Sequence, residues 1–136
     1  MDETMEKREF EIYFQPKISL HNYKIVGAEA LVRWRRPDGI VVRPEHFLPF
    51  YEKNGKIVEL DFYVFEQVAA FLEKTKRSGI TPVPVSVNVS ALHAEDPQTT
   101  RRYLEILEKY KVDPGMLEME LKETDTIRYE NIKDLL

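Results

Sequence analysis

The sequence predicts an α/β fold built on a parallel sheet, because strand and helix patterns alternate along its 136 residues. Short runs rich in β-branched and aromatic residues alternate with longer segments whose apolar residues recur at helical spacing. The predicted order is β-β-α-α-β-α-β-α, and strands joined by crossover helices form parallel sheets. Only the first two strands are close enough in sequence to pair as a hairpin.

The composition narrows the class of protein. A hydrophobic content of 43% and a charged content of 32% are typical of a globular chain rather than a disordered one. The net charge of −4 favours neither a nucleic acid polymer nor an anionic membrane as a partner. The chain has no cysteine, which excludes disulfides, thiolate zinc sites and a cysteine nucleophile. We find no signal peptide and no membrane-spanning run, so we expect a cytoplasmic protein without direct membrane contact.

The N-terminal part reads as a charged segment followed by a hairpin. Residues 1–9 have weak helical character, as expected for the end of a linker helix, and the domain itself is expected to span residues 10–136. Its first strand starts at Phe10 and is expected to end near Pro16, because proline cannot donate to a ladder. A turn follows around Asn22, the residue there most tolerant of left-handed geometry.

The rest of the chain alternates helices with strands. Proline is favoured at a first helical position, and Asn-Gly or a single glycine ends a helix. The predicted elements are a strand at residues 26–35, a helix from Pro44 to a stop at Asn54 and Gly55, a helix at 58–78, a strand at 83–89, a helix at 97–110, a strand at 117–122 and a helix beginning at 129.

The strand at residues 26–35 has two unlike faces, because successive side chains of a strand point in opposite directions. One face is apolar. The other carries Glu29 and Arg33, roughly 13 Å apart along the strand. A half-exposed strand would leave both charges solvated. A strand buried on both faces would need them for a ligand or a metal, because burial of an unpaired charge costs several kcal/mol.

Polar groups also share one face of the later strands. In the strand at residues 83–89 the valines alternate with polar residues that include Asn88, and in the strand at 117–122 apolar residues alternate with Glu118 and Glu120. Adjacent parallel strands would therefore present Glu29, Asn88 and Glu120 on the face away from the helices. Carboxylate and amide oxygens suit a hard cation such as Mg²⁺ or Mn²⁺. An open sheet with a wet polar face is the alternative.

Taken together, these segments resemble the EAL domain family of cyclic di-GMP phosphodiesterases. The resemblance runs from about Phe10 onward and implies a modified (β/α)8 TIM-type barrel, of which this chain holds about the first half. It also implies two metal ions that activate water to cut cyclic di-GMP to pGpG. The matching motifs are Tyr13-Phe14-Gln15-Pro16, Gly27-Ala28-Glu29-Ala30-Leu31-Val32-Arg33-Trp34, Val87-Asn88-Val89-Ser90-Ala91 and Leu117-Glu118-Met119-Glu120-Leu121-Lys122-Glu123-Thr124.

The resemblance implies a role for seven residues. The residues that match metal ligands are Glu29, Asn88 and Glu120. The residues that match positions contacting the dinucleotide are Gln15, Leu31 and Arg33. Glu123 matches a glutamate that steadies a loop of the active site.

The family's later catalytic residues have no match in this sequence, so no catalytic set is complete. A (β/α)8 barrel takes ~250 residues. We therefore expect a truncated domain that is inactive by itself, binds metal weakly or not at all, and self-associates through the open edge of its barrel. A degenerate EAL domain that serves as a cyclic di-GMP receptor or protein-interaction module is one alternative. A generic α/β interaction domain is another.

Overall fold

The computed structural model describes residues 9–90 and 98–121, which form a mixed sheet with helices packed on one face. Short 3₁₀ turns precede the first helix and the last strand. The elements are β1 (Phe10–Ile18), β2 (Ile25–Arg35), β3 (Val41–Val42), α1 (Leu48–Lys53), α2 (Ile57–Arg77), β4 (Val85–Val89), α3 (Thr99–Tyr110) and β5 (Leu117–Leu121). Residues 1–8 of the predicted N-terminal segment and the helix predicted from residue 129 lie outside the described residues.

The sheet has the strand order β1-β2-β4-β5, and β3 pairs with the end of β2. β1 and β2 are antiparallel, as the predicted hairpin requires, whereas β2, β4 and β5 run parallel. This arrangement confirms the predicted α/β fold class. The two-residue strand β3 was not predicted, although its two valines follow the Pro37-Asp38-Gly39 turn after a single residue, Ile40.

Two details of the hairpin differ from the prediction. β1 continues through Pro16, which pairs with Ala28, and ends at Ile18. The proline is tolerated because β1 is an edge strand of the described sheet, and an edge strand has a side without ladder bonds. In the turn, Tyr23 rather than Asn22 adopts the left-handed conformation, with φ 58°. The Asn22 Oδ1 atom instead accepts a hydrogen bond from the Lys24 N–H at 3.0 Å.

The first helical segment is interrupted. Pro44 opens a 3₁₀ turn, and the α-helix begins only at Leu48, after Phe47 with φ −130°. The interruption turns the Phe47 ring into the core, where its centroid lies 5.4 Å from that of Phe10. The long helix α2 ends as predicted, because Gly79 takes φ 79°, a conformation that glycine adopts without strain.

The core lies between the apolar face of the sheet and helices α2 and α3. The valines of β4 alternate inward, and the stripe of α2 packs over them, which confirms the periodicity read from the sequence. None of the helices in the described part combines the length and hydropathy needed to cross a bilayer. The most buried core residues include Ala30, Leu60, Phe65, Val68, Ala69, Val85, Val87, Val89 and Tyr103.

Candidate functional site

The strand register brings the predicted polar residues together on the face of the sheet opposite the core. Glu29 on β2 is paired with Gln15 on β1 and with Ser86 on β4. Asn88 on β4 is paired with Glu120 on β5. Because paired positions of neighbouring strands share a face, one polar surface crosses all four strands. We call this surface the polar face.

Glu29 and Asn88 are in direct contact at the centre of the polar face. The Asn88 Nδ2 atom donates a hydrogen bond to Glu29 Oε2 at 3.2 Å, and both residues are half-buried. This bond joins β2 to β4. It keeps one carboxylate and one amide adjacent, with the amide nitrogen rather than the amide oxygen facing the carboxylate.

Glu120 has a different partner. The Lys17 Nζ atom, which comes from β1, lies 3.6 Å from Glu120 Oε1 and donates to Ser86 Oγ at 3.0 Å. Ser86 is almost fully buried, whereas the Lys17 and Glu120 side chains are 43% and 45% exposed. Neither Lys17 nor Ser86 was predicted as a site residue from the sequence. Alternation along β1 places Lys17 on the same face as Gln15. Its contact with Glu120 on β5 joins residues far apart in the chain, and alternation does not predict such a contact.

The residues predicted to contact a dinucleotide lie on the same face, toward β1 and β2. Leu31 pairs with Tyr13, and Gln15 is exposed at the edge strand. Arg33 is half-buried. Its Nη1 atom donates to the backbone oxygen of Val32 at 2.9 Å, and its guanidinium carbon lies 5.9 Å from the Tyr13 ring centroid. The guanidinium therefore stays near the backbone of β2 at the outer end of the polar face.

Asp61 fixes the chain where β4 ends. Its Oδ2 atom accepts a hydrogen bond from the Ser90 N–H at 2.8 Å, which ties the first turns of α2 to the residues just after Asn88. Asp61, Asn88 and Ser90 line a cavity together with apolar residues of β2 and α2. Asp61 was not predicted as a site residue from the sequence. An acidic residue near a helix N-terminus is usually explained by the helix dipole, which hides a contact of this kind.

The donor chemistry of the polar face fits a hard divalent ion. Glu29, Asn88 and Glu120 present carboxylate and amide oxygens from neighbouring strands, which Mg²⁺ and Mn²⁺ prefer. Within residues 9–90 and 98–121, no three histidine, aspartate or glutamate side chains group closely enough to hold a metal ion. His21 and His46 lie outside this face, in the β1–β2 turn and in the 3₁₀ turn before α1. Glu123 lies outside the described residues.

Comparison with known sequences gives a consistent family match. A family model described as the EAL domain matches residues 1–136. A cyclic di-GMP phosphodiesterase of Pseudomonas aeruginosa is 34% identical over 119 residues, which is 88% of this chain and 20% of the relative. The probable cyclic di-GMP phosphodiesterase PdeB of Escherichia coli is 31% identical over 130 residues, or 92% of this chain and 24% of the relative.

Solved structures show the same architecture. The MucR phosphodiesterase of Pseudomonas aeruginosa in complex with c-di-GMP superposes with a TM-score of 0.85 at 26% identity, over 97% of this chain and 56% of that one. The FimX EAL domain of Xanthomonas citri in complex with c-diGMP gives 0.85 at 22% identity, over 98% and 52%. At 22% identity, the likeness to the FimX domain concerns the fold alone. The chain thus spans about half of these solved chains and about a fifth of the first curated relatives.

Proposed function

Because this chain belongs to the EAL domain family, we propose that it supplies the first ligands of a cyclic di-GMP phosphodiesterase site. The observation that carries the proposal is the polar face, where Glu29, Asn88 and Glu120 project from adjacent parallel strands. In a (β/α)8 barrel, catalytic side chains come from the ends of several strands, and Asn88 and Glu120 each lie one residue before the end of theirs.

Metal binding is the first part of the proposal. Glu29, Asn88 and Glu120 would hold Mg²⁺ or Mn²⁺, with two ions in the complete domain. Such ions neutralise a phosphodiester and lower the pKa of a bound water. The Glu29–Asn88 hydrogen bond supports this assignment because it keeps the two side chains adjacent, and a rotation of the Asn88 amide would turn its oxygen toward an ion held by Glu29.

Dinucleotide binding is the second part. Arg33 presents a planar fork of donors, which suits a phosphate oxygen pair. Gln15 and Leu31 lie on the same face, one polar and one apolar, as expected for contacts with a nucleotide. Glu123, which lies outside the described residues, is proposed to steady a loop of the active site.

Hydrolysis of cyclic di-GMP to pGpG belongs to the complete domain in this proposal. The chain spans 56% and 52% of two solved structures that it matches, so it is proposed to be inactive by itself, with weak metal affinity. Self-association and a cytoplasmic location stay predictions. Size-exclusion chromatography at a protein concentration of tens of micromolar tests self-association.

Titration calorimetry with cyclic di-GMP, in Mn²⁺ and again in chelator, tests the binding proposal. We expect binding in Mn²⁺ and at least about tenfold weaker binding for Arg33→Ala, because a charge-assisted bidentate contact is lost. Arg36→Ala is the matched control, since Arg36 pairs with Asp38 in the turn after β2. No heat at high cyclic di-GMP concentration, or equal loss in both variants, would contradict the proposal.

A receptor function is the second candidate, and one contact favours it. Glu120 already has a cation partner in Lys17, so the polar face is partly neutralised without a metal. A receptor would bind cyclic di-GMP equally well in Mn²⁺ and in chelator. A phosphodiesterase site would bind it more tightly in Mn²⁺, and the two arms of the calorimetry distinguish them.

A further inference from the structure

The Lys17 side chain crosses the polar face from the edge strand β1 to β5. Its Nζ atom lies 3.0 Å from Ser86 Oγ and 3.6 Å from Glu120 Oε1. Ser86 is 1% exposed, so the ammonium group provides a hydrogen bond to a hydroxyl that bulk water hardly reaches. One side chain therefore links β1, β4 and β5 and passes over β2.

Gly27 leaves the route across β2 open. It is the register partner of Lys17 on the neighbouring strand. A Cβ atom added at Gly27 would lie 3.8 Å from Lys17 Cδ and 3.1 Å from the backbone oxygen of Pro84. A side chain longer than a methyl group at this position would stand in the path of the lysine. Lys17 can therefore reach across β2 because its own side chain is long and because Gly27 has none.

The position of Lys17 matters for charge as well as for geometry. Its ammonium lies beside Glu120, one of the two proposed carboxylate ligands of this face. A divalent ion held by the same carboxylate would be repelled by Lys17. For charges of one and two units about 5 Å apart, Coulomb repulsion weakens binding by about tenfold even at the dielectric constant of water.

We propose that Lys17 is a positioning residue of the polar face: it is a resident cation that holds Glu120 beside Asn88 and competes with a divalent ion for that carboxylate. The competition rests on the proposed function, because it assumes a divalent ion at Glu120. The coupling between Lys17 and Glu120 does not depend on any metal. The two statements are therefore tested separately.

Thermal unfolding of the full chain in chelator tests the coupling. Lys17→Met lowers Tm in the unaltered background, and the drop is smaller in a Glu120→Gln background because the charged partner is already gone. Lys17→Arg keeps the charge and melts closer to the unaltered chain. Lys24→Met, in the turn of the same hairpin, is the matched control and leaves Tm nearly unchanged. An equal drop from Lys17→Met in both backgrounds overturns the inference.

Mn²⁺ titration calorimetry of the same chains tests the competition. We expect Lys17→Met to bind Mn²⁺ about tenfold more tightly than the unaltered chain or Lys24→Met, because the repelling charge is removed. Equal or weaker binding by Lys17→Met overturns the competition. Coupling in the unfolding experiment without Mn²⁺ binding by any of the chains supports the resident cation and contradicts the metal site of the proposed function.

Discussion

The two faces of the central sheet come from the same strands, but different forces hold their side chains in place. On the core side, Val85, Val87 and Val89 are at most 2% exposed and pack under α2. On the polar face, Glu29 and Asn88 are half-buried and are held by a hydrogen bond to each other. The core face contributes stability through buried apolar area, whereas the polar face contributes geometry and charge. Substitutions on the two faces should therefore separate stability from binding.

Truncation in the core that covers the apolar face of the sheet should have the largest effect on stability. Phe65 is 2% exposed, and its ring centroid lies 4.5 Å from the ring centroid of Tyr103. Phe65→Ala should lower the free energy of unfolding by about 3–5 kcal/mol, because it removes buried apolar surface and leaves a cavity. Urea unfolding measures the loss. Phe50→Ala is the control, since Phe50 is 62% exposed, and equal losses for the two variants would contradict the assigned core.

Removal of the Asp61 carboxylate, at the junction of the two faces, should have an intermediate effect. Asp61→Ala deprives the Ser90 N–H of its acceptor and should cost about 1–3 kcal/mol in the free energy of unfolding. Asp61→Asn keeps an acceptor oxygen and should recover part of this loss. Urea unfolding of both variants tests the contact. Equal losses would show that the carboxylate acts in another way.

On the polar face itself, the effect on stability should be small and the effect on binding large. Glu29→Gln keeps an oxygen that can accept from Asn88, so the free energy of unfolding should change by less than about 1 kcal/mol. Mn²⁺ affinity should fall by at least about tenfold, because a charged ligand is lost. Calorimetry and urea unfolding on the same samples test both statements. A large loss of stability with unchanged Mn²⁺ binding would reverse the roles of the two faces.

The smallest effect is expected among the partly exposed charged groups that join α2 to α3. The hydrogen bond from Lys109 holds the pKa of Glu66 below its usual range, and the Tyr110 hydroxyl acts in the same direction. A carboxyl group whose pKa is lower in the folded state stabilises the fold. Its full contribution is present at pH values above the unfolded pKa of about 4.3, and the contribution is lost as pH falls through the folded pKa. In a plot of Tm against pH, Glu66→Gln should therefore flatten the acid limb, so that Tm falls less steeply at low pH than in the unaltered chain. An acid limb in Glu66→Gln as steep as that of the unaltered chain would contradict this role of Glu66.

Local pattern predicted much of this molecule. Alternation in β2 and β4 assigned Ala30 and Val87 to the core face, because side chains along a strand alternate whatever the strand pairs with. The stripe of α2 and its stop at Gly79 followed from helical spacing and from the conformational freedom of glycine. The same alternation placed Glu29, Asn88 and Glu120 on one face, and the family motifs then gave the three residues a role as metal ligands.

The contacts that shape the polar face were decided by tertiary structure. Alternation states which face a side chain occupies, but it does not state which residue lies opposite on the next strand. The Lys17–Ser86 hydrogen bond joins residues 69 positions apart, and the Asp61–Ser90 bond joins a helix to the end of a strand. Both depend on the register that forms when the strands pair and α2 packs on them. That register follows from the packing of the whole core, so no short stretch of the sequence contains it.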